Sequence, residues 1–191
     1  MNLTPFFDSV RDGLFFGSLP AWQTLPMERL IEEGARRDRC VEDHAYALAT
    51  GYHETQRWKY DEEIGKGRGR DYGEPIWLIR GVRTTYHGRG DTQLTWLRNY
   101  AKMSVFLSVE HGRPIDLVNK PDLATEPDYS SLIMWEGMVR GMFTGKNLAD
   151  YIRPGDADYV GARRIINGTD KAKKIAGYAV QFEAALRHCE G

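Results

Sequence analysis

Glu54 follows His53 at the end of an apolar helical stripe, and Asp61, Glu62 and Glu63 stand just before a run of glycines. Carboxyl groups that reach one loop-lined region from two different elements suit acid/base work. Hydrolysis of a glycosidic bond needs one carboxylic acid to protonate the departing oxygen and one carboxylate to activate water or attack carbon, and their separation selects inversion or retention. Glu63 lies nine positions after Glu54. On one continuous helix, nine steps of about 100° make roughly half a revolution and rise about 13 Å, which places the two on opposite sides. The helix must therefore end between them. The polar Gln56-Arg57-Trp58-Lys59 stretch, followed by Gly65, Gly67 and Gly69, supplies the means to fold the second glutamate back over a groove.

Each of these groups also has an ordinary reading. Most glutamates on amphipathic helices are solvated or pair with a nearby arginine, here Arg57. Lys66, Arg68 and Arg70 alternate with glycines in a pattern open to a phosphate cradle or an RNA contact, but the Gly-Lys-Ser/Thr ending of a P-loop is missing, which favours a solvated basic loop. His53, Glu54 and His87 lack the His-Glu-x-x-His spacing and a second carboxylate at ligand distance, so neither a metal nor another cofactor is expected. Cys40 has no thiol-activating signature beside it and reads as a packed free thiol. Trp58, Trp77 and Trp96 offer flat faces either to sugar rings or to the core.

The elements that must hold these groups follow from periodicity. Phe6, Phe7, Val10, Leu14 and Phe15 recur at helical intervals up to Gly17, a loop with Pro20 and Pro26 follows, and Met27, Leu30 and Ile31 start a second helix ending near Gly34. Val41, Ala45, Leu48, Ala49 and Tyr52 mark a longer, Ala-rich third helix that delivers His53, Glu54 and Thr55 at its C-terminal end. Residues 65–73 are too rich in glycine for regular structure, and 76–79 with 92–95 read as short strands of a small hairpin or sheet. Helices are expected at about 97–110, 128–143, 157–166 and 171–188. The fold class is mainly α, with a small β lobe.

Composition bounds the answer. At 191 residues the chain reads as one domain, 1–191, with residues 1–40 as an N-terminal helical segment packed on it. Twenty-six Lys and Arg against 27 Asp and Glu leave a net charge of −1, so no overall field draws the chain onto nucleic acid or an anionic membrane. Cys40 and Cys189 are too few for a disulfide framework and lack zinc spacing. The N-terminal residues lack the basic and apolar regions of a secretory signal, no apolar run is long enough to span a bilayer, and no internal period is present, so the chain is expected to be cytoplasmic when made and not inserted in a membrane.

Tyr52-His53-Glu54-Thr55, the run from Tyr86-His87-Gly88-Arg89-Gly90 through Gln93-Leu94-Thr95-Trp96, and Asn99-Tyr100 resemble the central pattern of glycoside hydrolase family 19, which comprises chitinases and related bacteriophage endolysins. The resemblance extends through Asp116 to Leu123, Gly141 to Leu148 and Val160 to Gly168, and covers roughly residues 41–186. In length and layout the chain is most similar to the single-domain phage or prophage endolysins of that family.

That resemblance implies a lysozyme-like helical fold with a cleft between two lobes, and inverting cleavage of β-1,4 bonds between N-acetylated aminosugars. It implies Glu54 as general acid and Glu63 as general base, with adjacent Glu62 competing for the second role. Thr95, which stands where plant-type members carry Ser, would help hold the hydrolytic water. Gln93 and Asn99 would bind N-acetyl or hydroxyl groups, and His53, Tyr86, Arg163 and Asn167 would bind sugar or position the base. The multiple cysteines and long loops of the plant enzymes are absent. The expected activity is that of an endolysin, a lysozyme or muramidase acting on peptidoglycan during host lysis. The alternatives are a chitinase acting on poly-N-acetylglucosamine and a catalytically inactive glycan-binding module. A monomer is expected, released to the cell wall through a separate holin-type protein. Glu54 must hold its proton near neutral pH, so its site should be partly desolvated or face another negative group, while Glu63 should be ionised and more exposed. Inversion expects the carboxyls about 6.5–9.5 Å apart when closed.

Overall fold

The computed structural model describes residues 2–78, 81 and 83–189. Helices α1 (Thr4–Gly13), α2 (Ala21–Arg36), α3 (Val41–Glu54), α4 (Leu97–His111), α5 (Pro127–Val139), α6 (Tyr159–Ala162) and α7 (Ala172–Arg187) make the described chain mostly helical. Two small antiparallel hairpins accompany them. In one, β1 (Ile76–Trp77) pairs with β2 (Arg83–Thr84) in the register Ile76 to Thr84; in the other, β3 (Ile152–Arg153) pairs with β4 (Asp156–Ala157) in the register Ile152 to Ala157. None of the described helices is long and apolar enough to cross a membrane.

The centre is α3. Every residue from Glu42 to Tyr52 is buried, because Ala45, Ala47, Ala49 and Gly51 are small enough for neighbours to close on all sides. It packs chiefly against α7, while α1 lies on α7 and α2 on α5. Polar tips inside this packing find backbone partners: Tyr52 Oη donates to the Leu14 carbonyl at 2.6 Å, Tyr46 Oη to Ala162 at 2.8 Å and Trp135 Nε1 to Leu30 at 2.9 Å. Arg187 Nη2, 2.5 Å from Glu42 Oε1, ties the end of α7 to the start of α3. A second apolar cluster gathers Tyr86, Leu94, Tyr100, Met103 and Leu107 against Leu132 and Ile133 of α5, so α5 serves both clusters.

Several boundaries depart from the periodicity. Pro26 lies inside α2, not in a loop; only Pro20 stands outside, as the N-cap. α5 stops at Val139, because the chain turns at Gly141, with φ of 64°, and returns the Phe143 ring onto Gly137, where a Cβ would collide with it. The helix expected over 157–166 is a short α6 followed by a 3₁₀ turn at Arg163–Ile165, and Ala157 belongs to β4. The strand expected at 92–95 is absent. Leu94 makes a single bridge to Arg89, while Ile76 and Trp77 pair instead with the nearer residues 83–84. Ile79 of that expectation lies outside the described residues.

Candidate active site

Glu54 is the last residue of α3, and what ends the helix there is unusual. Gln56, Arg57 and Trp58 have φ of 51°, 69° and 57°, three consecutive non-glycine residues in the left-handed region. That conformation costs roughly 1–2 kcal/mol per residue, so tertiary contacts must hold it. Thr55 Oγ1 accepts from Trp58 N at 2.7 Å, Arg57 N donates back to the Tyr52 carbonyl at 2.7 Å, and Gln23 of α2 donates to the Arg57 carbonyl at 2.6 Å. The Trp58 indole lies against Gly51, where a Cβ would crowd it, and donates Nε1 to Asp91 Oδ1 at 2.8 Å. Asp91 also accepts from Ser130 of α5 at 2.7 Å. Burial pushes its carboxyl up to about 6, against the lowering effect of the Ser130 and Trp58 hydrogen bonds.

Past this turn, residues 61–63 run antiparallel to 88–90. Glu63 N donates to Gly88 O at 2.8 Å, Gly90 N donates to Asp61 O at 2.7 Å, and Glu62 bridges Arg89. Extended backbone sends successive side chains to opposite faces, so Glu62 and Glu63 part company. Glu63 accepts from Tyr72 Oη at 3.0 Å and from Gly88 N at 3.2 Å. Glu62 instead meets His87 Nε2 at 3.0 Å, Lys66 Nζ at 3.1 Å and Arg89 Nε at 3.3 Å. Burial pushes the Glu62 carboxyl up, but hydrogen bonds from His87 and Lys66 and the nearby cations together hold it below the usual range. His87 is shifted down by burial and by Arg89; in its neutral form Nε2 donates to Glu62 and Nδ1 accepts from Thr85 Oγ1 at 2.7 Å.

The glycine run builds the ledge beneath Glu63. Amides of Lys66, Arg68 and Arg70 each bond the carbonyl three residues back, a chain of tight turns in which Gly65, Gly67 and Gly69 take φ of 88°, 70° and 75°. The ledge ends at Gly73, where a Cβ would sit on the Gly67 carbonyl. Tyr72, just before it, carries its hydroxyl to Glu63 and its ring edge to Trp96, 5.4 Å between centroids.

A groove of about 500 Å³ collects Glu54, Glu63, Gln93, Thr95, Asn99 and Asn167 on one surface. Tyr72, Gly88, Trp96, Phe143 and Ile166 complete much of the wall. Gln93 holds its amide to the Gly90 carbonyl at 3.2 Å, and Asn99 Nδ2 donates to the Thr95 carbonyl at 2.8 Å, fixing the strip that carries Thr95. Three residues expected beside sugar do not line this groove. Tyr86 is buried in the second apolar cluster with its hydroxyl on the Val118 carbonyl at 3.0 Å. His53 is half-buried, and desolvation lowers its pKa below that of a free imidazole. Arg163 lies under the groove at 2 % exposure, its Nη1 2.6 Å from Glu54 Oε1 and its Nε donating to the Asp170 carbonyl at 3.0 Å. Glu54 is partly desolvated, at 19 % side-chain exposure, and the charge facing it is this guanidinium, not a second acid. Of the three tryptophans, Trp96 lines the groove, Trp58 is core and Trp77 is exposed on β1 away from it.

No family model matches the chain, and no curated protein matches it. Among the described residues, no three His, Cys, Asp or Glu side chains converge as a group that could hold a metal ion. The groove brings together two carboxyls from separate elements, one backed by a buried guanidinium and one held by a phenol and a backbone amide, with Thr95 and the carboxamides of Gln93, Asn99 and Asn167 along the same surface.

Tyr72 carries a role that the sequence reading did not assign. The signal available was a bulky aromatic side chain in a run otherwise made of glycines and charges, since such a ring needs a surface to pack on.

Proposed function

We infer that the protein is a glycosidase that hydrolyses β-1,4 bonds between N-acetylated aminosugars of peptidoglycan by general acid/base catalysis with inversion, in the manner of the endolysins it resembles. The observation that carries this reading is the presence of Glu54 and Glu63, delivered by the end of α3 and by the 61–63 segment, on the wall of one groove. In this reading the fold is lysozyme-like, and the glycan lies along the groove.

Glu54, in the protonated form that closure of a sugar over the groove must favour against the pull of the Arg163 guanidinium, donates its proton to the leaving glycosidic oxygen. Arg163, fixed by its bond to the Asp170 carbonyl, then faces the carboxylate left behind. Glu63 takes a proton from the attacking water. Its two donors, Tyr72 Oη and Gly88 N, fix its orientation and leave it further lone pairs with which to accept from a water. The Thr95 hydroxyl helps hold the water, and Gln93, Asn99 and Asn167 contact the sugar substituents. Trp96 provides a stacking face at the rim.

Mass spectrometry of purified peptidoglycan digested by the protein tests the reading. Fragments with new reducing-end aminosugars are expected, and the identity of the sugar at that end names the bond. A digest with no new reducing ends, or one in which only peptide bonds are cut, overturns it.

A further inference from the structure

Residues 85–89, paired with 61–63, contribute to two concave surfaces. Gly88 lines the groove of Glu54 and Glu63, whereas Thr85, His87 and Arg89, which alternate with it, line a second cleft of about 880 Å³. That cleft carries Lys66, Arg83, Arg89 and Lys120 against Asp122 and Glu126. Its charges are not all matched: Glu126 has no cation within 4 Å among the described residues, and against it stand two cations without a close carboxylate. Arg89, at 5 % side-chain exposure, is held by Asp122 at 3.0 Å and Glu62 at 3.3 Å, and Lys66 by Glu62 at 3.1 Å. Arg83 and Lys120 have no carboxylate within 4 Å among the described residues. The Arg83 guanidinium sits over the exposed Trp77 ring, 5.5 Å from its centroid, which steadies it at the cleft edge.

We propose that this second cleft binds the carboxylates of the peptide stems borne by a peptidoglycan strand whose sugar backbone occupies the groove of Glu54 and Glu63. The proposal rests on the glycosidase reading and sharpens its substrate class. A plain poly-N-acetylglucosamine chain has no substituent to place there, whereas an extended tetrapeptide reaches about 13 Å, several times the spacing between Gly88 and its neighbours His87 and Arg89, which line the two surfaces. Two cations with no carboxylate within 4 Å on an open surface, Arg83 steadied by Trp77 and Lys120 in the wider field of Asp116, recognise carboxylates at low ionic strength and lose them as salt screens the field. Arg83 and Lys120 are therefore specificity residues, remote from the reacting atoms.

The test compares two substrates made from one wall preparation: peptidoglycan with its stems, and the same strands stripped of stems by an amidase. At low salt the wild type is expected to show kcat/KM about tenfold higher on the stem-bearing strands. The double variant Arg83→Glu/Lys120→Glu should lose that advantage through KM while cleaving stripped strands at the wild-type rate. Circular dichroism and thermal melting should match the wild type. Equal wild-type rates on both substrates, or an equal loss on both in the variant, overturn the proposal. If the wild type cuts neither substrate, the glycosidase reading fails, and the cleft is judged alone by NMR titration with the tetrapeptide the amidase releases. Shifts at Thr85 and Lys120 amides that vanish in the double variant support the cleft, and their absence in the wild type overturns it.

Discussion

Arg163 reaches across 109 positions of chain to place Nη1 2.6 Å from Glu54 Oε1, and it does so from a site only 2 % exposed. A guanidinium so enclosed cannot be left without a counter-charge at little cost, so the pair joins the 3₁₀ turn after α6 to the end of α3 and sets where the Glu54 carboxyl points.

Replacing Arg163 should therefore affect stability and turnover together. Arg163→Ala is expected to lower the unfolding free energy by roughly 3 kcal/mol and to reduce kcat much more than it raises KM. Arg163→Lys keeps the charge but cannot bond Glu54 and the Asp170 carbonyl with one planar fork, so it should recover most of the stability and only part of kcat. Denaturant melts with steady-state rates check this. An Arg163→Ala protein with unchanged kcat would show that the pair does not position Glu54.

The glycine ledge gives a contrast between neighbouring positions. A Cβ at Gly73 meets the Gly67 backbone, whereas one at Gly69 meets nothing and suffers only from its φ of 75°. Gly73→Ala should displace Tyr72 from Glu63 and lower kcat by about tenfold or more, an effect of the size expected when a catalytic group loses its orientation. Gly69→Ala should cost about 1 kcal/mol of local stability with little change in rate. Tyr72→Phe isolates the hydroxyl: kcat falls, while the melting temperature stays near that of the wild type because the ring still packs on Trp96. Rates and melting temperatures of the three variants decide it, and similar kcat in Gly73→Ala and Gly69→Ala would refute the ledge argument.

Asp91 makes stability depend on pH. Its carboxyl is raised to about 6 from 3.8, chiefly by burial, with Asp61 as a further negative charge nearby. A raised carboxyl favours the folded state most at acidic pH, below its unfolded value, and that contribution is lost as pH rises through the folded value. The loss is on the order of 3 kcal/mol. Asp91→Asn removes the titration, so the melting temperature of the variant minus that of the wild type should increase between pH 4 and pH 7 and then level off. A difference that stays flat over that range would mean Asp91 does not titrate there.

The parts of this arrangement that local pattern governs were legible from residue types. The apolar and alanine repeat of α3 delivered Glu54 to a helix end, and the glycine run marked an irregular ledge, because both follow from periodicity and backbone freedom. The left-handed turn at 56–58 was not legible, since nothing about Gln56, Arg57 or Trp58 favours positive φ until Asp91 and Gly51 arrive from elsewhere to hold the indole. Tyr86 and Arg163 show the same limit. Their burial depends on partners tens of residues away, so the family resemblance assigned both to sugar binding while packing holds Tyr86 in the second apolar cluster and Arg163 beneath the groove. The separation of Glu62 from Glu63 follows from strand alternation once the pairing with 88–90 is known, and that pairing is a long-range fact.

The central claim is that Glu54 and Glu63 act as a pair across one groove, and turnover of peptidoglycan by Glu54→Gln and Glu63→Gln tests it most directly. The Glu63→Gln amide keeps an acceptor for Tyr72 and should leave stability near that of the wild type, whereas the Glu54→Gln amide keeps an oxygen for Arg163 but removes its counter-charge and should lower the melting temperature. Glycan binding and a folded circular dichroism spectrum are the controls for both. Each is expected to lose a factor of at least about 100 in kcat, measured as new reducing ends, and the double variant should lose little more than the worse single one. Wild-type turnover in either single variant would contradict the account.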